Sequence, residues 1–269
     1  MKTSKFWAVD HTGWCRVLLY NEHYTLLEDG SVNYFYHEWL NNNPEKLNFK
    51  QKIKSLIKKI IYGNYNIKPY GHNKNCEKII LTGFTNLPDY YSNLNYEILP
   101  LNELWNNSGD DKKSFILEFF DVTQNDLNKL EGRNIIFLDQ QWAIDKFMTE
   151  AEQIEMTRKI LKDYDPSKVV IKLHPRNPLN YSEALPGFLV WDKPAPMELL
   201  NLCGVNLKTA ITLNSTAVIL FSNDVEIIWL GKDKNLTGNY FDHLNSETKE
   251  RLMKINNLVP LPKTLLKSN

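Results

Sequence analysis

The sequence predicts an α/β protein whose C-terminal half is a Rossmann-like parallel sheet wrapped by helices. Three observations carry this. From Asn134 onward, five short apolar runs recur: 134–138 (NIIFL), 168–173 (KVVIKL), 188–191 (FLVW), 209–213 (TAITL) and 226–230 (EIIWL). Segments with helical period lie between them, at 145–163, around 196–202 and from Ser215. Each run is followed by polar or ionisable residues. Buried runs alternating with helices indicate parallel strands covered on both faces.

The N-terminal half is less regular. Residues 14–20 (WCRVLLY) and 23–27 (HYTLL) read as strands, followed by a Glu28-Asp29-Gly30 turn. Residues 47–62 place Leu47, Ile53, Leu56, Ile57, Ile60 and Ile61 near helical spacing, with lysines between them, which predicts a basic amphipathic helix. Such a helix either presents a solvated lysine face or contacts anionic lipid or a lipid-linked acceptor. Residues 78–82 (KIILT) and 96–100 (YEILP) read as strands, 102–113 (NELWNNSGDDKK) as a polar loop or linker, and 114–131 as a helical connection.

Composition narrows the function class. The 269 residues are 42% hydrophobic and carry 32 cationic and 32 acidic side chains, so no net field draws the chain to nucleic acid. Three dispersed cysteines, Cys15, Cys76 and Cys203, form neither a CxxC pair nor a disulfide framework, which fits a reducing cytoplasm. The N-terminal residues lack the apolar stretch of a signal peptide, and there is no run of about 18 apolar residues. The expectation is therefore a cytoplasmic protein. Thirteen Tyr, 12 Phe and 7 Trp point weakly toward sugar handling.

Open α/β sheets bind ligands beyond the carboxyl ends of their strands. The first run leads to Asp139-Gln140-Gln141, the second to His174-Pro175-Arg176, the third to Asp192-Lys193 and Pro196-Met197-Glu198, and the fourth to Asn214-Ser215-Thr216. His174 is suited to donate to a phosphate oxygen, and Pro175 turns the chain sharply after the strand. Lys172 and Arg176 add positive charge, although Lys172 alternates with buried positions. Asn214 or Ser215 caps a helix whose first N–H groups, with the Ser215 and Thr216 hydroxyls, suit an anion. Glu198, in the first turn of another helix, is placed either to favour the helix dipole or to accept from ribose hydroxyls. Glu28 or Asp29 is a candidate general base for a sugar hydroxyl, against the plain reading of a turn.

Taken together, Glu28-Asp29-Gly30, His174-Pro175 and Ser215-Thr216, in that order, resemble the motif set of bacterial sialyltransferases. The LLEDGSVNY context and Pro196-Met197-Glu198 resemble glycosyltransferase family 52, the lipooligosaccharide sialyltransferases, over about residues 20–240. The resemblance implies a GT-B-like architecture of two Rossmann-like domains. It places an acceptor-side domain over 1–113, shortened because only 27 residues precede Glu28, and a donor-binding domain over 114–269. It implies CMP-sialic acid as donor substrate, inversion, no cofactor and no metal ion. In the implied roles Glu28 or Asp29 is the base, with Asp139 and Asp145 as rivals. His174 assists the leaving phosphate, helped by Lys172 and Arg176. Ser215 and Thr216 hold that phosphate with Gln140 and Asn214 beside them, and Glu198 holds the ribose. Expected partners are the nucleotide sugar, a galactose-ended lipooligosaccharide or capsular acceptor, a membrane surface at helix 47–62, and a second copy of the chain as a homodimer. The alternatives are another GT-B transferase, of polysialyl, Kdo or polyol-phosphate type, or a truncated CMP-binding module without turnover.

Overall fold

The computed structural model describes residues 6–19, 21–30, 33, 49–62, 69–83, 87, 89–213, 215, 217, 218, 221 and 224–230. The chain divides into two compact units, Met1–Leu104 and Trp105–Asn269.

In the first unit, strands β1 (Phe6–Ala8), β2 (Tyr24–Leu27), β3 (Cys76–Leu81) and β4 (Tyr96–Ile98) form one parallel sheet in sequential order. Helix α1 (Gly13–Leu18) links β1 to β2, and α2 (Phe49–Tyr62) lies between β2 and β3 in sequence. Leu19, Tyr24, Leu26, Ile79, Leu81 and Tyr91 form the packed core. Asp10, fully buried after β1, accepts from the Tyr24 hydroxyl at 2.7 Å and from the backbone N–H groups of Tyr70 at 2.6 Å and Gly71 at 3.0 Å. Burial, reinforced by Asp10, holds the Tyr24 phenol above its ordinary pKa, so it stays a donor to the carboxylate.

Two expectations for this half change. The run expected as a strand over 14–20 is not one across its described residues 14–19. The Thr12 side chain accepts from Cys15 N–H at 3.3 Å and starts α1 at Gly13, because a satisfied N-cap outweighs the β preference of a short apolar run. Nor is 102–113 a loop. It holds α3 (Leu101–Asn106) and the start of α4 (Asp110–Phe119). Asp110 and Asp111 sit in the first turn of α4, where negative charge is favoured, and neither helix buries a residue, so their polarity mimics a loop.

In the second unit, α4 is followed by α5 (Gln124–Asn128). Strands β5 (Ile135–Leu138), β6 (Val169–Lys172), β7 (Leu189–Trp191), β8 (Thr209–Thr212) and β9 (Glu226–Trp229) then form a parallel sheet in the order β7-β6-β5-β8-β9. The strands coincide with the five apolar runs. Helices α6 (Glu150–Leu161), α7 (Tyr181–Ala184) and α8 (Met197–Leu202) connect them. α6 begins at Glu150 rather than 145, because Thr149 and Glu152 close a reciprocal capping box.

Successive strand residues feed opposite faces, as the period of two requires. Ile136, Leu138, Val170 and Ala210 pack with Leu199 and Leu200 of α8. Phe137, Val169, Ile171 and Ile211 pack with Met156, Ile160 and Leu161 of α6. Both faces are covered, which is why these strands read as unbroken apolar runs. After β5, β6 and β7 the chain crosses back to lay β8 on the other side of β5. The strand order therefore reverses between β5 and β8, where such sheets open a ligand crevice.

Replacing Asp10 with Ala would strand three buried donors. The expected cost is about 3 kcal/mol, at roughly 1 kcal/mol or more for each group. Thermal unfolding followed by circular dichroism checks this, and an unchanged midpoint would show that Asp10 is not an anchor.

Candidate functional site

The His174 loop is built from the sheet outward. Leu173 N–H donates to the Trp191 carbonyl at 3.0 Å, extending the β6–β7 ladder by one residue. Asn177 N–H then donates to the His174 carbonyl at 2.8 Å, closing a tight turn with Pro175 in its favoured second position. The Asn177 side chain donates to the Asp139 carboxylate and, at 3.2 Å, to the Gln140 carbonyl. These bonds tie the turn to the end of β5. Asp139 also accepts from Gln153 at 3.2 Å and the Tyr181 hydroxyl at 3.1 Å, which brings in α6 and α7.

Arg176 N–H donates to His174 Nδ1 at 3.2 Å. With Nδ1 held as an acceptor, neutral imidazole carries its proton on Nε2. Burial lowers the His174 pKa, and Arg176 and Lys172 add to this, while Asp145 opposes it. The ring is half-buried, whereas Pro175 and Arg176 are exposed.

Lys172 does not point into solvent. It follows Val170 in the two-residue register, on the face covered by α8, and is 7% exposed. Burial lowers its pKa to about 8, and the Glu198 carboxylate in the first turn of α8 partly restores it. It forms no salt bridge among the described residues. A mostly buried lysine with no salt bridge among the described residues, at a strand's carboxyl end, is suited to an anion.

The remaining candidates divide. Glu198 is half-buried. Ser215 N–H donates to Thr212 Oγ1 at 2.9 Å, and Ser215 Oγ accepts from Ala217 N–H at 3.4 Å, so this hydroxyl caps the turn after β8. Asn214 and Thr216 lie outside the described residues. Gln140 uses its backbone carbonyl to hold Gln153 and Asn177. As a rival base, Asp139 is a correction: it is 2% exposed and surrounded by protein donors, out of reach of a substrate hydroxyl. Asp145 is exposed, accepts from Gln141 at 3.2 Å and acts on His174 through its charge.

In the first unit, the carboxyl ends of β1, β2 and β3 carry Asp10-His11, Glu28-Asp29 and Thr82. The adjacent carboxylates have separate tasks. Glu28 accepts from Thr82 N–H at 2.6 Å and from the Thr82 hydroxyl at 2.8 Å, joining the ends of β2 and β3. Asp29 is exposed and lies 3.1 Å from His11 Nε2, with Asn33 holding its backbone N–H at 2.7 Å. The His11 ring stacks on Tyr70 at 5.7 Å between centroids.

Sequence reasoning missed His11, Asn177 and Gln153. A strand at 6–8 would have marked His11, but three residues carry no readable alternation. Asn177 was legible as the fourth residue of the His-Pro turn. Gln153 had no signal beyond its place on the buried side of α6.

A cavity of about 700 Å³ in the second unit lies elsewhere, lined by residues such as Arg133, Asn134, Val205 and Asn206. These precede β5 and β8, at the sheet edge opposite His174. Among the described residues no cluster of three His, Cys, Asp or Glu side chains is arranged to hold a metal ion.

The model of the family "Glycosyltransferase family 52" matches residues 1–231. An uncharacterized protein of Haemophilus influenzae is 30% identical over 218 residues, which cover 81% of this chain and 65% of that protein, so the chain spans just under two thirds of the relative's length. Among solved structures, the chain is similar to an alpha/beta-galactoside alpha-2,3-sialyltransferase of Photobacterium phosphoreum. The TM-score is 0.54 at 17% identity, over 89% of this chain and 69% of the other. It is also similar to the GT-B domain of a sialyltransferase of Photobacterium damselae, with a TM-score of 0.54 at 15% identity, over 91% and 73% of the two chains. At these identities the likeness is one of fold, and the fold is GT-B-like.

His174 should titrate below the ordinary histidine value in the free protein, because its folded pKa is lowered. Its contribution to stability is therefore present above pH ~6.5 and lost as pH falls through that lowered pKa. A bound dianion should raise the value. Histidine NMR titration with and without a nucleoside monophosphate checks both, and a raised pKa in the free protein would contradict the geometry.

Proposed function

The chain belongs to glycosyltransferase family 52, and on that premise we propose that it transfers sialic acid from CMP-sialic acid to a sugar hydroxyl, with inversion and without a metal ion. The observation that carries this reading is the placement of mostly buried Lys172 and of His174, whose Nδ1 accepts from Arg176 N–H, two residues apart at the end of β6, close enough for the lysine charge to act on the imidazole. Together they present an ammonium and an Nε2–H at the carboxyl edge of the second sheet, one strand from its switch point. That is the chemistry a departing phosphate needs.

In the proposed reaction the acceptor oxygen attacks the anomeric carbon of the sialyl group from the face opposite CMP. The bond from that carbon to the phosphate oxygen breaks, and its electron pair leaves with CMP. Lys172 and the His174 Nε2–H meet the charge that develops there. Glu198 is assigned to the ribose hydroxyls, and Ser215 with Thr216 and Asn214 to the phosphate.

The acceptor proton goes to a carboxylate of the first unit. Asp29 is better placed than Glu28, because Glu28 is occupied by Thr82 while Asp29 is exposed and paired with His11. As acceptor we propose a galactose-ended glycan, of the lipooligosaccharide or capsular kind. The word galactoside in the name of the Photobacterium phosphoreum relative supports the galactose.

Calorimetric titration with CMP and turnover of CMP-sialic acid test the proposal together. Lys172→Met keeps the buried stem and should weaken CMP binding about tenfold or more. His174→Ala should lower transfer by about a hundredfold or more. Asp29→Asn should lower transfer similarly with CMP affinity unchanged. Absence of CMP binding by the unaltered chain would sink the reading. Binding without any turnover would leave a nucleotide-binding module in its place.

A further inference from the structure

The cavity of the second unit is built where two helices end and two strands begin. In the turn after α5, Arg133 N–H donates to the Leu130 carbonyl at 3.1 Å, and in the turn after α8, Gly204 N–H donates to the Asn201 carbonyl at 3.0 Å. Gly132 and Gly204 take the left-handed conformation these turns require, each at φ +74°, and the space beside each is open. The turns set Asn134 before β5 and Asn206 before β8. With Trp105 and Lys113 they enclose about 700 Å³, within the range of about 300–1,000 Å³ for small-ligand sites. The four residues of β5 put roughly 13 Å between this edge of the sheet and the edge that carries His174.

The lining joins three kinds of group. Leu117 and Val205 supply apolar wall. Asn134 and Asn206 supply amides that can both donate and accept, and neither side chain is hydrogen-bonded among the described residues. Lys113 and Arg133 supply positive charge. Both are half-buried, and neither is in a salt bridge among the described residues. The Arg133 guanidinium is fixed in place. Its Nε donates to the Lys129 carbonyl at 3.2 Å, and its Nη1 to the Pro166 and Val169 carbonyls, both at 2.8 Å. The N–H groups on Nη2 are left over, held in a set direction. Lys113 Nζ lies over the Trp105 ring at 5.7 Å from its centroid, which keeps the ammonium at the wall. Among the described lining residues Glu131 is the one carboxylate, and it is exposed.

This set of groups matches a carboxylated sugar. The fixed cations meet the carboxylate. The amides meet hydroxyl and N-acyl groups, which themselves both donate and accept. The aliphatic wall meets the C–H face of the ring or an acyl methyl. A nucleotide is a poorer match, because Lys113 takes the Trp105 face on which a base would stack. A fatty acid would leave the amides unpaired, at a cost.

We infer that this cavity is a second carbohydrate site, which holds a carboxylated, N-acylated sugar on a glycan. The inference goes beyond the proposed transfer, because binding here involves neither CMP nor His174. Only the choice of a sialyl probe rests on that reading.

Calorimetric titration of the full chain with the methyl α-glycoside of N-acetylneuraminic acid is the test. Its affinity should be the same with and without saturating CMP. The methyl ester of the same glycoside, which has no charge, should bind at least about tenfold more weakly. Lys113→Met keeps the stem and removes the charge, and should weaken the acid by about tenfold. CMP affinity and the unfolding midpoint should not change in that variant. A crystal of the unaltered chain soaked with the glycoside should show it beside Lys113 and Arg133, so the inference stays testable if Lys113→Met fails to fold. Equal binding of acid and ester, binding abolished by CMP or untouched by Lys113→Met, or a sugar found only at the His174 edge would each overturn it. So would CMP or lauric acid occupying the cavity in place of the sugar. If the chain binds the glycoside here and binds no CMP, the second site stands and the proposed transfer falls.

Discussion

The second unit depends on one buried carboxylate. Asp139 follows the central strand β5 and collects donors from three other elements: Asn177 of the His-Pro turn, Gln153 of α6 and Tyr181 of α7. Burial pushes its pKa up to about 6, against the pull of these donors. A buried charge is costly unless its lone pairs are met, and here protein groups meet them. Strand, turn and two helices are thus held at one point. The position of His174 follows from it, since the turn that presents the imidazole is closed by the residue that grips Asp139.

Lys172 is the complementary case. Its side chain is mostly buried, and Glu198 partly supports its charge. Burial raises the free energy of a cation, and a bound phosphate dianion would lower it. Stability and recognition pull in opposite directions at this position, as they do where a site is shaped for a ligand. The contrast with Asp139 is instructive. One buried ion is satisfied by the fold and organises it, and the other has no salt bridge among the described residues.

The first unit repeats the logic on a smaller sheet. Asp10 and Glu28 are taken up by backbone and hydroxyl donors, which fastens the strand ends to neighbouring turns. Asp29, beside Glu28 in sequence, points to His11 and solvent instead. Adjacent side chains at a strand end leave in opposite directions, so an acidic pair divides into a structural member and an available one.

Sequence by itself determined the parallel sheet of the second unit, because strands buried on both faces must be apolar throughout and their ends must carry the polar residues. It also determined an amphipathic helix over 47–62, described over Phe49–Tyr62, and the positions of His174, Glu198 and Glu28-Asp29 at strand or helix ends. The helix at 13–18, the helix at 101–106 and the first turn of the helix at 110–119 were not legible, since a cap and a polar surface helix look locally like a strand and a loop. Only tertiary structure decided which ionisable groups are free to act. Asp139 and Glu28 are engaged by residues far along the chain, and Lys172 is turned inward by a register that pairs it with α8. Burial and partnership are properties of contacts between distant segments. That is why the candidate residues could be named from the sequence and their roles could not.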